Sequence, residues 1–108
     1  MAMTEAHRRI LQRNHCLLVS DLDIDLALPR LYQEGVLSSE QLSRIEAEKI
    51  REDRCREFLR LLPRRGDRAF TILVMCIREH CRQDYIANKL EPEDLSHQMQ
   101  VKLNLDIQ

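Results

Sequence analysis

An apolar run from Ala69 to Ile77, which only Thr71 interrupts, dominates the hydrophobic pattern of the chain. A buried strand and a buried helix both suit so apolar a run. The residues with helical spacing, at i, i+3, i+4, i+7 and i+11, are Phe70, Leu73, Val74, Ile77 and Cys81. This spacing favours a helix from Asp67 to Cys81, with Asp67 as its N-cap. Because Ile72, Met75 and Cys76 make the opposite side apolar too, we predict a central helix packed by neighbours all round.

The other apolar spacings predict five more helices around this one. The first runs from Thr4 to about Val19, and the weak helix former Asn14 allows a bend in its middle. The second begins after Asp21 and ends with Gly35 as the residue after its C-cap. Inside it, Pro29 removes one backbone hydrogen bond, so we expect an irregular start or a kink.

The remaining predicted helices are the third, fourth and sixth, and no strong stop signal separates the third from the fourth. The third runs from Ser39 to Glu48 and begins with the capping-box spacing of Ser38 and Gln41. The fourth runs from Arg51 to Leu62 and stops at Pro63. The apolar residues of the short sixth helix are Tyr85, Ile86 and Leu90.

Composition narrows the class of protein. The 108 residues suit one domain, and two glycines, three prolines and no alternating apolar pattern favour an all-α fold. Aromatic residues make up only 4% and tryptophan is absent, which argues against a stacking platform for bases or sugars. The net charge of −1 offers no basic excess for nucleic acid, and the longest apolar run is well short of the roughly 18 to 20 residues that span a bilayer.

Four cysteines, at positions 16, 55, 76 and 81, follow an N-terminus that has no signal-peptide pattern. We therefore predict a reducing compartment, the cytoplasm, with the nucleus as a second location. A zinc or redox site at Cys76, His80 and Cys81 is a rival interpretation, but its fourth ligand would have to come from the region of His15 and Cys16. Small buried hydrophobes explain these thiols better, and we expect neither metal nor cofactor.

Charge is segregated between pairs of helices. Residues 7–13 carry three arginines and no acid, and residues 49–65 carry seven bases against three acids. Residues 21–34 carry four acids against one base, and residues 38–48 carry three acids against one base. A domain with separate positive and negative surfaces can bind a copy of itself, or a relative, head to tail, and such contacts propagate into rings or helical filaments. The rival is a small helical nucleic-acid binder using Arg8, Arg9, Arg13 and the fourth helix, against which the near-zero net charge argues.

Four short motifs, in the right order, resemble the caspase recruitment domain (CARD) of the death-fold superfamily. Residues 4–13, TEAHRRILQR, are similar to the start of initiator-caspase CARDs, and residues 31–37, LYQEGVL, to the end of helix two in the RAIDD adaptor. Residues 61–66, LLPRRG, followed by Ala69-Phe70, resemble the turn before helix five shared by RAIDD and its caspases. Gln83-Asp84 before the last helix is also similar to initiator caspases, whereas Pro29 departs from the family pattern.

The resemblance implies a six-helix antiparallel Greek-key bundle with a buried fifth helix. We assign residues 1–91 to this domain and residues 92–108 to a linker or the start of a following region. It also implies homotypic association, in which a basic surface on helices one and four meets an acidic surface on helices two and three. Carried onto this sequence, the basic residues are Arg9, Arg13, Arg51, Arg54, Arg56 and Arg60. The acidic residues are Asp23, Asp25, Glu34 and Glu40.

We therefore expect a non-enzymatic module that binds another CARD protein and self-associates into helical oligomers, with neither nucleic acid nor membrane as a partner. The favoured role is the prodomain of an initiator caspase in apoptotic signalling, and a RAIDD-like adaptor is the alternative. No catalytic cysteine signature of the QACxG type is present, and His80 and Cys81 are adjacent, so they would point about 100° apart on a helix. Reversing the charge of Arg56 and Arg60 is predicted to abolish binding without changing melting.

Overall fold

The computed structural model describes residues 2–91. These residues contain seven α-helices and one short 3₁₀ helix, joined by short turns. The helices are α1 (Glu5–Arg13), α2 (His15–Asp21), α3 (Ile24–Gln33), α4 (Ser39–Glu46), α5 (Arg51–Leu61), the 3₁₀ helix (Leu62–Arg65), α6 (Asp67–Glu79) and α7 (Asp84–Leu90). No strand occurs among these residues, and the predicted all-α bundle is confirmed. The predicted linker, residues 92–108, lies outside the described residues.

The predicted first helix is broken into α1 and α2 at Asn14. The backbone N–H and the side-chain Nδ2 of Asn14 both donate to the carbonyl of Ile10, at 3.2 and 2.9 Å. Asparagine side chains compete in this way with the regular helical bonds, which explains why the chain leaves helical geometry here. The carbonyl of Asn14 then accepts the N–H of Leu18 at 2.9 Å, so α2 begins at once.

The central helix α6 is buried on most sides but not all round. Phe70, Leu73 and Ile77 lie in the core. Arg68, Thr71, Met75 and Glu79 form an exposed stripe. Ile72 and Cys76 are buried as predicted, whereas the predicted burial of Met75 is wrong, because this side chain is 47% exposed. The polar neighbours at i−4 and i+4, Thr71 and Glu79, share its face of the helix.

Asp67 does not cap α6, contrary to the prediction. Gly66 holds the N-cap position, and the Asp67 carboxylate instead accepts the Thr4 N–H at 2.9 Å and the Thr4 hydroxyl at 3.2 Å. His7 Nδ1 lies 2.9 Å from the same carboxylate oxygen, and the His7 ring stacks on Phe70 at 4.0 Å between centroids. The Thr4 N–H holds the pKa of Asp67 below its usual range. This carboxylate thus attaches the start of α1 to the central helix.

α3 starts irregularly and continues through Pro29. The Asp23 carbonyl accepts the N–H of Leu26 at 3.1 Å, an i to i−3 bond, and that of Ala27 at 3.4 Å. The first turn is therefore partly of the 3₁₀ type. The predicted irregular start is found, while the helix runs unbroken to Gln33 with Pro29 inside it.

The end of α3 has the predicted glycine. Gly35 has φ 79°, its N–H donates to Tyr32 O at 3.0 Å, and the N–H of Val36 donates to Leu31 O at 2.9 Å. These two bonds form a Schellman motif, which needs a left-handed residue at this position. The capping box that begins α4 is also confirmed, with Ser38 and Gln41 bonding reciprocally at 3.0 and 3.1 Å, although α4 ends two residues before the predicted Glu48.

Gly35→Ala is expected to lower the free energy of unfolding by about 1 to 2 kcal/mol, the usual cost of left-handed geometry for a residue with a Cβ. A Cβ at this position would meet no atom within 4 Å, so the cost is conformational rather than steric. Gly35→Asn should cost less, because asparagine tolerates this geometry. Urea unfolding of the two variants checks this, and an equal loss in both would contradict the backbone explanation.

Candidate protein interface

Two arginines of α1 lie exposed on the solvent side, as predicted for the basic surface. Arg9 and Arg13 are four residues apart and share a face of the helix. Arg9 Nη2 donates to Glu5 Oε2 at 3.0 Å within the same helix. Arg13 makes no ion pair within residues 2–91. Arg13 can therefore bind a partner directly, and Arg9 would give up only an exposed pair with Glu5.

Two arginines of α5 also point outward. The exposed fraction of the side chain is 55% for Arg56 and 70% for Arg60. Arg56 bonds Asp53, and Arg60 bonds Glu57, each within α5. The bond to Glu57 raises the pKa of Arg60, which keeps its charge fixed.

The two acids bound by these arginines differ in burial. The Asp53 side chain is 42% exposed, whereas the Glu57 side chain is only 10% exposed. The Oε1 of Glu57 accepts from Arg60, and its Oε2 is buried with no hydrogen-bond partner within residues 2–91. A buried carboxylate is tolerated only when a cation is close, so Arg60 also serves the fold. Reversing Arg60 would set a second carboxylate beside Glu57, and we now expect that change to lower the melting temperature.

Arg51 makes hydrogen bonds within the domain and is not a free surface charge. Its guanidinium donates to the carbonyls of Val19, Ser20 and Leu22 at 3.3, 2.8 and 2.9 Å. These carbonyls lie at the C-terminal end of α2, where a cation also suits the helix dipole. Arg51 thus joins α5 to the end of α2, and 31% of its side chain is exposed.

Arg54 and Asp25, which the sequence assigned to opposite surfaces, bind each other. The Nε and Nη2 of Arg54 donate to the two carboxylate oxygens of Asp25 at 2.8 and 3.0 Å. Arg54 Nη1 also donates to the carbonyl of Glu48 at 2.8 Å. The hydrogen bond with Asp25 raises the pKa of Arg54. This bidentate pair joins α3 to α5 and neutralises one member of each predicted surface.

The remaining acidic residues differ in exposure and in internal partners. Glu34 accepts from Arg30 Nε at 3.1 Å and lies about 13 Å along α3 from Asp25 at 1.5 Å per residue. Asp23 is half-buried before α3 and Glu40 is exposed in the first turn of α4. Neither makes an ion pair within residues 2–91, so Asp23 and Glu40 are the carboxylates of this set that a partner can use directly.

A groove brings the two basic helices onto one surface. It measures about 200 Å³ and is lined by Arg8, Leu11, Gln12, His15, Leu59 and Pro63. The first four belong to α1 and α2, and the last two to α5 and the 3₁₀ helix. Arg8 and His15 were not among the residues predicted for the basic surface, although Arg8, Gln12 and His15 have the i, i+4, i+7 spacing of one helical face.

Three of the four cysteines, at positions 55, 76 and 81, show little of the thiolate character that metal binding and redox chemistry require. Burial raises the pKa of Cys55 and of Cys81 to about 12, and it raises that of Cys76 as well. Cys16 is exposed. Within the described part of the chain, no three metal-binding side chains come together, and no helix combines the length and hydrophobicity needed to cross a membrane.

Comparison with known protein families identifies the family to which this helical bundle belongs. The family model of the caspase recruitment domain matches residues 8–93, which include most of α1 and all of α5 and of the central helix. Comparison with curated proteins gives no match, and neither does comparison with solved structures. The family match does not distinguish caspase prodomains from adaptors. It does exclude catalysis by this domain, as expected from the sequence. The chain therefore belongs to the caspase recruitment domain family, whose members are non-catalytic modules that bind other CARDs in apoptotic and inflammatory signalling.

Proposed function

We propose that this CARD recruits an initiator caspase in the cytoplasm, as the prodomain of such a caspase, with a RAIDD-like adaptor as the alternative. The observation that carries the proposal is that α1 and α5 flank one groove, with exposed arginines along both helices. The positively charged surface formed by α1 and α5 is complementary to the acidic surface of another CARD. Arg9, Arg13 and Arg56 can bind the acidic residues of another CARD at little cost to the stability of this domain, because none of them holds a buried group.

Each ionic contact at such a surface is weak. Exposed pairs contribute about 0 to 1 kcal/mol, so they act mainly on the rate of encounter and on the choice of partner. Several domains held together bind more tightly than one, because each further contact is then intramolecular. Association of this kind raises the local concentration of attached protease domains and allows them to dimerise.

The test is binding of the purified domain to the isolated CARD of an initiator caspase. Arg9→Glu combined with Arg13→Glu is expected to weaken binding at least tenfold at low salt, a change of about 1.4 kcal/mol or more. Neither side chain holds a buried group, so circular dichroism should stay unchanged and melting should fall only slightly, through loss of the exposed Arg9–Glu5 pair. We choose this pair over Arg56 and Arg60 because reversal at Arg60 also affects the buried Glu57.

Lys89→Glu is the matched control, since Lys89 is an exposed base on α7 that makes no ion pair within residues 2–91. It should leave binding unchanged. Normal binding by the α1 double variant would refute the basic-surface assignment. A caspase protease domain in the full-length protein would support the prodomain role, and a death domain would support the adaptor.

A further inference from the structure

We propose that Glu57 couples the binding of an acidic partner at Arg60 to the uptake of a proton. Arg60 is the cation that balances the buried Glu57 carboxylate. When a carboxylate of the partner also binds Arg60, one positive charge serves two negative charges that have left water, and Glu57 takes up a proton. The inference rests on the proposed function, because the partner is an acidic surface of another CARD, and it adds pH as a regulator of that contact.

Glu57 is the one charged residue that the fold buries among residues 2–91. Its side chain is 10% exposed, whereas the side chain of Arg60 is 70% exposed. Oε1 of Glu57 accepts from Arg60 Nη2, and Oε2 is buried with no hydrogen-bond partner within the same residues. The buried carboxylate therefore depends on a cation that itself stays open to a partner.

The neighbouring charges on α5 and α3 do not replace Arg60. Arg54 lies three residues before Glu57, but both oxygens of Asp25 on α3 hold its guanidinium. Asp53 lies four residues before Glu57 on the same face and adds a second acid. Neither helix thus supplies a free cation to Glu57.

The other elements packed against α5 do not supply one either. Glu48, in the turn between α4 and α5, adds negative charge near Arg60, and the bond to Glu57 followed by this charge raises the pKa of Arg60. The thiol of Cys55 donates to a carbonyl of α2, so α2 packs on the side of α5 opposite to Glu57. The bases of α4, of the turn after it and of the 3₁₀ helix make no ion pair within residues 2–91; they are Arg44, Lys49, Arg64 and Arg65.

Arg60 lies where a partner can reach it. It follows Leu59 in the chain and precedes Pro63 by three residues, and both of these line the groove between the basic helices. Its bond to Glu57 uses Nη2, so Nε and Nη1 remain available to a carboxylate of the partner. Glu57 thus acts as a positioning residue that holds Arg60 by one end and presents the other.

The proton balance follows from these contacts. Closing the interface removes water from two carboxylates that share one guanidinium, and a carboxylate in that position binds a proton because its neutral form is easier to bury. The proton comes from the solvent and forms an O–H bond at Oε2 of Glu57, the oxygen that Arg60 does not bond. Association therefore strengthens as the pH falls, by at most about tenfold for each unit of pH, the limit for one proton.

The first test needs no partner, because Arg60→Gln removes the cation from Glu57 in the free domain. The urea midpoint of this variant is expected to lie further below that of the unsubstituted domain at about pH 8 than at about pH 5, since the isolated carboxylate is charged at the higher pH and neutral at the lower. Adding Glu57→Gln to Arg60→Gln should remove this dependence on pH. A deficit that is the same at both pH values, or an Arg60→Gln variant that is unfolded at both, overturns the inference.

The second test measures binding to the isolated CARD of an initiator caspase by calorimetry, in buffers of different ionisation enthalpy. The unsubstituted domain is expected to take up as much as one proton more than Glu57→Gln, which keeps an acceptor for Arg60. This difference isolates Glu57, because His15 at the groove and the groups of the partner are the same in both complexes. Glu79→Gln, the same substitution at an exposed position of α6, is the control and should take up as many protons as the unsubstituted domain.

The outcomes separate the inference from the proposed function. Binding with equal proton uptake by the unsubstituted domain and a folded Glu57→Gln defeats the inference alone. Absence of binding by the unsubstituted domain at every pH defeats the proposed function. Circular dichroism shows whether each variant is folded, and the comparison of Arg60→Gln with the unsubstituted domain decides the matter even where Glu57→Gln does not fold.

Discussion

Replacing Phe58 with alanine is expected to lower the free energy of unfolding by about 3 to 5 kcal/mol. Phe58 is fully buried on α5, a helix that packs against α2, α3 and α4. Alanine would leave a cavity there that the surrounding helices fill only in part. Since small domains have about 5 to 15 kcal/mol of stability in total, this loss leaves little margin. Urea unfolding followed by circular dichroism measures it.

The matched control is Tyr32→Ala, which truncates an aromatic side chain that is 46% exposed. Its cost should stay below about 1 kcal/mol, as is usual for surface substitutions. A similar loss at both positions would mean that burial at α5 does not dominate stability. Because α5 also carries Arg56 and Arg60, Phe58→Ala is expected to disorder the basic surface as well.

Replacing Arg51 with methionine is expected to lower the free energy of unfolding by about 1.5 to 3 kcal/mol, the range for hydrogen bonds to charged groups. The reason is the loss of three bonds to carbonyls at the end of α2, two of which belong to the buried residues Val19 and Leu22. The position was predicted as a binding residue. A binding defect in Arg51→Met would therefore report damage to the fold rather than a lost contact.

Arg56→Met makes the comparison direct, because it is the same substitution in the same helix. Arg56 bonds only the partly exposed Asp53, and its removal should change stability by no more than about 0.5 kcal/mol. Thermal melting of both variants, alongside binding to the caspase CARD, separates the two roles. If Arg51→Met melts like Arg56→Met, the carbonyl contacts do not stabilise the domain.

Local chemistry explains why much of the fold was predictable. Periodic apolar residues located α3 to α7, and short-range signals located the start of α4, through the capping box at Ser38, and the end of α3, through the glycine at position 35. The break at Asn14 was harder to place, because a side chain competes there with a regular helical bond. The partners of Asp67 were missed altogether, since Thr4 and His7 are more than 50 residues away in the chain.

The sequence by itself determined that the chain forms helices around an apolar run, and on which helices its bases and acids lie. Only the tertiary structure decided which of those charges remain free. Arg54 is neutralised by Asp25, 29 residues away, while Arg60 balances a carboxylate that the fold buries at Glu57. The spacing of residues within one helix encodes neither result, because an ion pair between helices and the burial of a side chain depend on distances that only packing creates.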